Sequence, residues 1–157
     1  MTDTALHVFA KTLDSQGLRP ALVYLRGLTD YRFVGIFRFE NGHTVSVAHV
    51  DRDDPTAVWT DDEPTDSTYC CYVRDTSGAF VTADAMLDPR TEGHAKRDVV
   101  SAYCGIPIMD SEGVLFGTLC HYDTVPRDPE ELDLSLLLRA ASRLAQSGLI
   151  GLPAAPG

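Results

Sequence analysis

Apolar positions at helical spacing open the chain. Leu6, Phe9 and Leu13 recur over residues 3–16, and Gly17 is a natural stop. Leu18, Leu22, Leu25 and Leu28 then repeat every three or four residues behind Pro20, which predicts a second short helix. The pattern changes in YRFVGIFRFENGHTVSVAHV, where aromatic and β-branched residues dominate around Asn41-Gly42. Both turn residues tolerate positive φ, so strands are expected near 31–40 and 43–50 as a hairpin. A long acidic loop follows, holding Pro55 and Pro64. Ser67 is placed to cap a short helix over 68–75, and AFVTAD at 79–84 reads as a short strand. MLDPRTEGHAKRD reads as a loop with a helical turn or two.

The stretch SAYCGIPIMDSEGVLFGTLCHYD has two apolar runs around a polar turn, so it predicts a second hairpin. The last helix is expected to begin at Asp128 as N-cap, with Pro129 at the first position and Glu131 at the third. Leu134, Leu137, Leu138, Ala141 and Leu144 form its apolar stripe, and the tail GLIGLPAAPG is expected to fray beyond residue 149. The order is helix, helix, hairpin, small helical segments, strand, hairpin, helix. This is an α+β fold with a largely antiparallel sheet and the terminal helices on one face. A single domain is expected over residues 1–149, with a flexible tail at 150–157.

Turn chemistry sets an expected register for the second hairpin. Asp110-Ser111-Glu112-Gly113 suits a type I turn followed by a left-handed glycine, the three-residue loop with a bulge. Asp110 then opposes Val114, and an unbroken ladder pairs Cys104 with Cys120 and Tyr103 with His121. The two cysteines would share one face with Ile106, Ile108 and Phe116. The opposite face would carry Tyr103 and His121 beside Gly105 and Gly117, whose bare backbone marks the close approach of a helix, a loop or a ligand.

Composition narrows the function classes. The 157 residues are 44% hydrophobic and carry a net charge of -10, from 23 acidic and 13 basic residues. An acidic chain without a concentrated basic patch argues against nucleic-acid binding. No apolar run has membrane-spanning length, so no membrane association is expected. The start MTDTALHVFAKT lacks a secretory pattern, and four cysteines at 70, 71, 104 and 120 match no extracellular staple, so a cytoplasmic setting is expected. The run from Asp51 to Asp66 holds seven acids and one arginine, without calcium-loop spacing, and reads as a solvated loop.

The candidate chemistry is sparse. There is no nucleophile elbow, no phosphate loop and no HExxH helix. Cys70 and Cys71 are adjacent rather than two apart, so they form no zinc-knuckle or thioredoxin-like pair. Tyr103 and His121 either hydrogen-bond a polar ligand or satisfy each other under a covering loop. His94, with Lys96 and Arg97, is either part of a positive spot closing over that face or a solvated loop residue.

Several strings resemble the GAF domain family of bacterial small-molecule sensing modules. They are YRFVGIFRFENG, STYCCYV, AFVTADAMLDPR and SAYCGIPIMDSEGVLFGTLCHYDTVPR, followed by the final amphipathic helix. The resemblance covers roughly residues 5–147. It implies a central antiparallel sheet of five to six strands, with the N- and C-terminal helices on one face and a ligand cavity on the other. Candidate ligand-binding residues are then Tyr103, His121, His94, Cys70 and Asp84. The implied function is small-molecule sensing or signal transduction without catalysis of its own. Since no output domain follows, the signal would pass through a homodimer built on the terminal helices or through a separate signalling protein.

The ligand and any cofactor stay unnamed at this level. The cyclic-nucleotide signature of the family is absent. A bilin would need a cysteine such as Cys70 or Cys71, or His94, and haem would need His94 or His121. One enzymatic branch, the free methionine-R-sulfoxide reductases, would draw on Cys70, Cys104 and Cys120, although the expected register turns Cys104 and Cys120 away from the Tyr103 face. A purely structural or interaction module is the remaining alternative.

Overall fold

The computed structural model describes residues 2–155. Helix α1 (Thr2–Gln16) buries Phe9 and Leu13, and α2 (Leu18–Gly27) buries Ala21, Leu22 and Leu25. Gly17 joins them at φ 93°, a backbone that a side chain would strain. Strands β1 (Phe33–Glu40) and β2 (His43–Asp51) form the expected hairpin. Asn41 at φ 52° and Gly42 at φ 78° give its turn the two positive angles that match strand twist.

The acidic segment ends in a two-residue strand, β3 (Glu63–Pro64), and a turn of 3₁₀ helix at Thr65–Ser67. It is therefore only partly a solvated loop. Asp51 is buried and receives Arg32 Nε and Nη2 at 2.8 and 3.0 Å. Helix α3 (Cys70–Thr76) and β4 (Phe80–Thr82) lie where they are predicted, and 3₁₀ turns at Ala85–Leu87 and Pro89–Thr91 lead toward the second hairpin. That hairpin is β5 (Ala102–Met109) and β6 (Leu115–Asp123). The six strands pair antiparallel in the order β3-β2-β1-β6-β5-β4.

The final helix, α4 (Leu134–Gln146), starts five residues later than Asp128 as its cap would place it. Asp128 caps a separate 3₁₀ turn at Pro129–Glu131, accepting from the Glu130 N–H at 2.9 Å. Asp133 is the true cap, accepting from the Leu136 N–H at 3.0 Å, and the Thr2 hydroxyl also donates to it. The buried stripe is Leu136, Leu137, Ala140, Ala141 and Leu144, while Leu134 and Leu138 are exposed. The expected frayed tail packs instead. Ile150 is buried in the core, and the Ala155 N–H donates to the Gln146 carbonyl at 2.9 Å. The last two residues of the tail lie outside the described residues.

The sheet separates two cores. Helices α1, α2 and α4 pack against one face over Val34, Ile36, Cys104, Ile106, Ile108 and Leu119. On the other face Phe37, Tyr69, Cys70, Val73, Phe80, Tyr103 and Cys120 form a smaller cluster beneath α3. Among the described residues, no helix is long and apolar enough to cross a membrane.

The second hairpin corrects the expected register. The turn itself is as expected. The Gly113 N–H reaches the Asp110 carbonyl at 3.0 Å, the Asp110 N–H reaches Val114 at 2.8 Å, and Gly113 has φ 78°. A bulge then intervenes. Met109 pairs with Leu115 but Ile108 pairs with Gly117, so Phe116 is the extra residue. Every later pair is displaced by one. Tyr103 faces Tyr122, Cys104 faces His121, and Gly105 faces Cys120. A one-residue slip exchanges the faces of a strand. His121 thus joins the helical core, and Cys120 moves to the face of Tyr103.

Candidate functional site

A cavity of about 240 Å³ lies between the sheet and the segments that cover its α3 side. Alternation along three strands builds its floor. Phe33 and Phe37 come from β1, Tyr122 from β6 and Tyr103 from β5. Their sequence neighbours Val34, Ile36 and Cys104 point into the helical core. Tyr69, Cys70 and Val100 wall one side, with Thr44 and Thr68 supplying hydroxyls. Thr60, Asp61 and Glu63 bring the acidic segment to the rim. There Glu63 Oε1 meets Lys96 Nζ at 2.6 Å and ties the segment to the stretch before β5.

Aromatic packing holds the floor rigid. Phe33 stacks on Tyr122 with centroids 4.6 Å apart, and the Arg32 guanidinium lies 4.6 Å from the centre of the Phe33 ring. The Tyr122 hydroxyl meets His49 Nε2 at 2.5 Å. Tyr69 sends its hydroxyl to the Val100 carbonyl at 2.9 Å, which joins α3 to the entry of β5.

Beneath the cavity Cys120 occupies a slot framed by glycine on both neighbouring strands, Gly35 on β1 and Gly105 on β5. The space a Cβ would take at Gly105 belongs to Tyr103, whose hydroxyl would be 2.3 Å from it. At Gly35 the Phe37 ring would be 2.8 Å from such a Cβ. Both rings therefore fold down over bare backbone, and Tyr103 is directed onto sulfur. Its hydroxyl donates to Cys70 Sγ at 3.3 Å and lies 3.2 Å from Cys120 Sγ. The two sulfurs are 3.8 Å apart, with the Thr118 hydroxyl 3.5 Å from Cys70 and 3.0 Å from Cys120.

This setting divides the two thiols. Hydrogen bonding from Cys120, Thr118 and Tyr103 outweighs burial at Cys70 and pulls its pKa down to about 7. Burial and the neighbouring Cys70 push Cys120 well up. Burial drives the Tyr103 hydroxyl well above its ordinary value, which keeps it a donor. The other cysteines are ordinary buried thiols. Burial lifts Cys71 to about 11 and Cys104 to about 12.

The expected site residues separate. Tyr103 and Cys70 line the cavity. His94 stands behind its wall. Its Nδ1 accepts from the Lys96 N–H at 3.0 Å, leaving Nε2 to donate to the Thr68 carbonyl at 3.1 Å, and its ring packs on Tyr69. Asp84 is a turn cap, accepting from the Met86 N–H at 3.1 Å, and it does not border the cavity. His121 is on the far side of the sheet, edge-on to Tyr31 at 6.0 Å, with neither ring nitrogen hydrogen-bonded among the described residues. Burial there lowers its pKa to about 4. Tyr122, Phe33 and Phe37 are the residues missed, and Cys120, expected on the other face, lies beneath them. For the two phenylalanines the parity of YRFVGIF carried the signal, because Phe33, Gly35 and Phe37 share one face.

The comparisons with known proteins agree with this architecture. The chain is similar in structure to the GAF domain of an Acinetobacter phosphoenolpyruvate-protein phosphotransferase, with a TM-score of 0.77 and 16% identity over 96% of this chain and 93% of that one. It is also similar to a free methionine-R-sulfoxide reductase from Neisseria meningitidis in complex with its substrate, with a TM-score of 0.72 and 16% identity over 93% of this chain and 87% of that one. In sequence it is similar to a cyclic di-GMP phosphodiesterase of Pseudomonas aeruginosa, 35% identical over 81 residues. That match spans 47% of this chain and only 13% of the phosphodiesterase. The GAF domain model matches residues 15–147, and the chain belongs to the GAF domain family.

Proposed function

We propose that this domain senses a small molecule held in the cavity between the sheet and α3, and that it has no catalytic activity of its own. One observation carries the reading, an aromatic-lined cavity of about 240 Å³ on the sheet face opposite the terminal helices. Pockets for drug-sized ligands run to roughly 300–1,000 Å³, so a compact metabolite suits this space better than a tetrapyrrole. Tyr103 and Cys70 touch the ligand, and His94 holds the wall in place. The aromatic rings supply apolar contact, while Thr44, Thr68 and the Glu63–Lys96 pair supply polar contact at the mouth.

The signal then leaves through a second copy of the chain or a separate signalling protein, of which a cyclic di-GMP phosphodiesterase is one example. Exposed Leu134 and Leu138 on α4 are the residues we assign to such a contact. The reduced thiols suit a cytoplasmic setting. Native mass spectrometry of freshly purified protein tests the sensing role, followed by a metabolite screen read through Trp59, which is exposed next to Thr60 and Asp61 at the rim. A bound small molecule displaced by Tyr103→Trp supports the role. Failure of any small molecule to bind sinks it.

A second reading draws on Cys70 and Cys120, which share the cavity face. It is reduction of a small sulfoxide such as free methionine sulfoxide. Turnover of that compound with a thiol reductant tests it, and no turnover removes it.

A further inference from the structure

Ligand sensing leaves one cluster unused, the thiol pair under the cavity floor. We propose that Cys70 and Cys120 are an oxidisable dithiol, a modification site that takes one oxygen atom from a small hydroperoxide admitted through the cavity and closes to a disulfide. The inference does not depend on which metabolite the cavity senses.

Position assigns the two roles. Cys70 borders the cavity, whereas Cys120 lies beneath it, fully buried in the middle of the sheet. An incoming oxidant therefore meets Cys70 first. The sulfurs are 3.8 Å apart, and a disulfide needs about 2.05 Å, so the closure is about 2 Å. Cys120 is held by ladders to β1 and β5 on both sides, while Cys70 is the first residue of the seven-residue α3 at the edge of the smaller core. Cys70 is the partner free to move.

Chemistry follows the same order. Tyr103 and Thr118 place hydroxyls against the Cys70 sulfur, which favours the thiolate, the form that attacks. The thiolate attacks the distal oxygen of the hydroperoxide. An S–O bond forms, the O–O bond breaks, and the departing oxygen takes the proton that the thiol gave up. Cys120 sulfur then attacks Cys70 sulfur, the S–O bond breaks, and the hydroxyl leaves as water with the proton of Cys120. Two thiols and one hydroperoxide become one disulfide, one water and one alcohol, or a second water when the oxidant is hydrogen peroxide. Sulfur is oxidised and the peroxide oxygen is reduced.

The remaining cysteines are internal controls. Cys71 rests against His94 at 3.7 Å, and Cys104 is sealed on the helical side of the sheet. Among the described residues, neither has a second sulfur within hydrogen-bonding distance.

The test uses the full chain, reduced and then freed of reductant. Hydrogen peroxide should consume two of the four thiols, leave a mass lighter by two hydrogens, and yield a Cys70–Cys120 cross-linked peptide. In Cys120→Ser, Cys70 should gain one oxygen that a 1,3-dione traps. Cys70→Ser should slow thiol loss at least about tenfold, since only thiols with small thiolate fractions remain. Cys104→Ser should behave as wild type. A cross-link through Cys71 or Cys104, or a Cys70→Ser rate equal to wild type, overturns the proposal. A parallel arm replaces peroxide with free methionine sulfoxide, and oxidation by the sulfoxide alone overturns the hydroperoxide assignment. Should Cys70→Ser fail to fold, alkylation of the wild type at neutral pH reads the same property. Cys70 should be modified first, and earlier modification of another cysteine overturns the assignment.

Discussion

Acid should destabilise this domain well above the carboxylate range, and His121 is the reason. Its imidazole is 1% exposed, has no hydrogen-bond partner among the described residues, and is held neutral by burial, with its pKa lowered from 6.5 to about 4. The unfolded chain binds a proton as pH falls through 6.5, and the folded chain does not until about 4. Stability is therefore intact above about pH 7 and is lost progressively between 6.5 and 4. At about 1.4 kcal/mol per pH unit, the gap caps the loss at about 3 kcal/mol. Roughly 2 kcal/mol of it falls between pH 7 and pH 5. His49, buried and also lowered, adds a loss of the same sign. The assay is urea unfolding at half-unit intervals from pH 7.5 to 4.5, for wild type and His121→Leu, with slopes compared rather than absolute values. The variant should keep only the shallower dependence left by His49. Equal slopes in the two proteins would refute the role given to His121.

Other substitutions test the geometry of the sheet and cavity. A methyl at Gly117 would sit 1.9 Å from the Phe37 carbonyl oxygen of β1, so Gly117→Ala should cost at least about 3 kcal/mol in chemical denaturation or prevent folding. Asp123 is buried and accepts from the Arg32 N–H at 3.0 Å and Arg127 Nε at 2.8 Å, so Asp123→Ala should cost about 3 kcal/mol by urea titration. Gly105→Ala should drive the Tyr103 ring up into the cavity, costing about 1–3 kcal/mol and abolishing ligand binding by native mass spectrometry. Lys96→Ala removes a half-exposed ion pair, so stability should change by less than about 1 kcal/mol. Proteolysis within residues 52–62 should nonetheless accelerate, because that pair ties the segment down.

The first hairpin was legible because Asn41-Gly42 leaves few choices of turn, and the β1 side chains fall cleanly on two faces. The second hairpin was legible only to its turn. Residues 117–121 are all buried, since helices cover one face of β6 and the cavity segments the other. A strand buried on both sides has no polar alternation to fix its register, so nothing in LFGTLCHYD announced the bulge at Phe116. Cys120 and His121 were recognised as residues of interest, but each was assigned to the wrong side, whereas Cys104 lies with Ile106 and Ile108 as expected. The start of α4 failed for a related reason. Asp128 and Asp133 are equally good caps, and only the Thr2 contact and the packing of Leu136 show which one opens the long helix. Tyr103 and Cys70 were legible because neither depends on the shifted half of the hairpin for its place.

Cys120 and His121 are consecutive on β6 and belong to opposite sides of the molecule. Ladders to β1 and β5 fix both side chains on their own sides, so Cys120 stays with the cavity core while His121 stays edge-on to Tyr31. The cavity side and the helical side of the sheet thus meet across a single peptide bond, with a sulfur on one residue and an imidazole on the next.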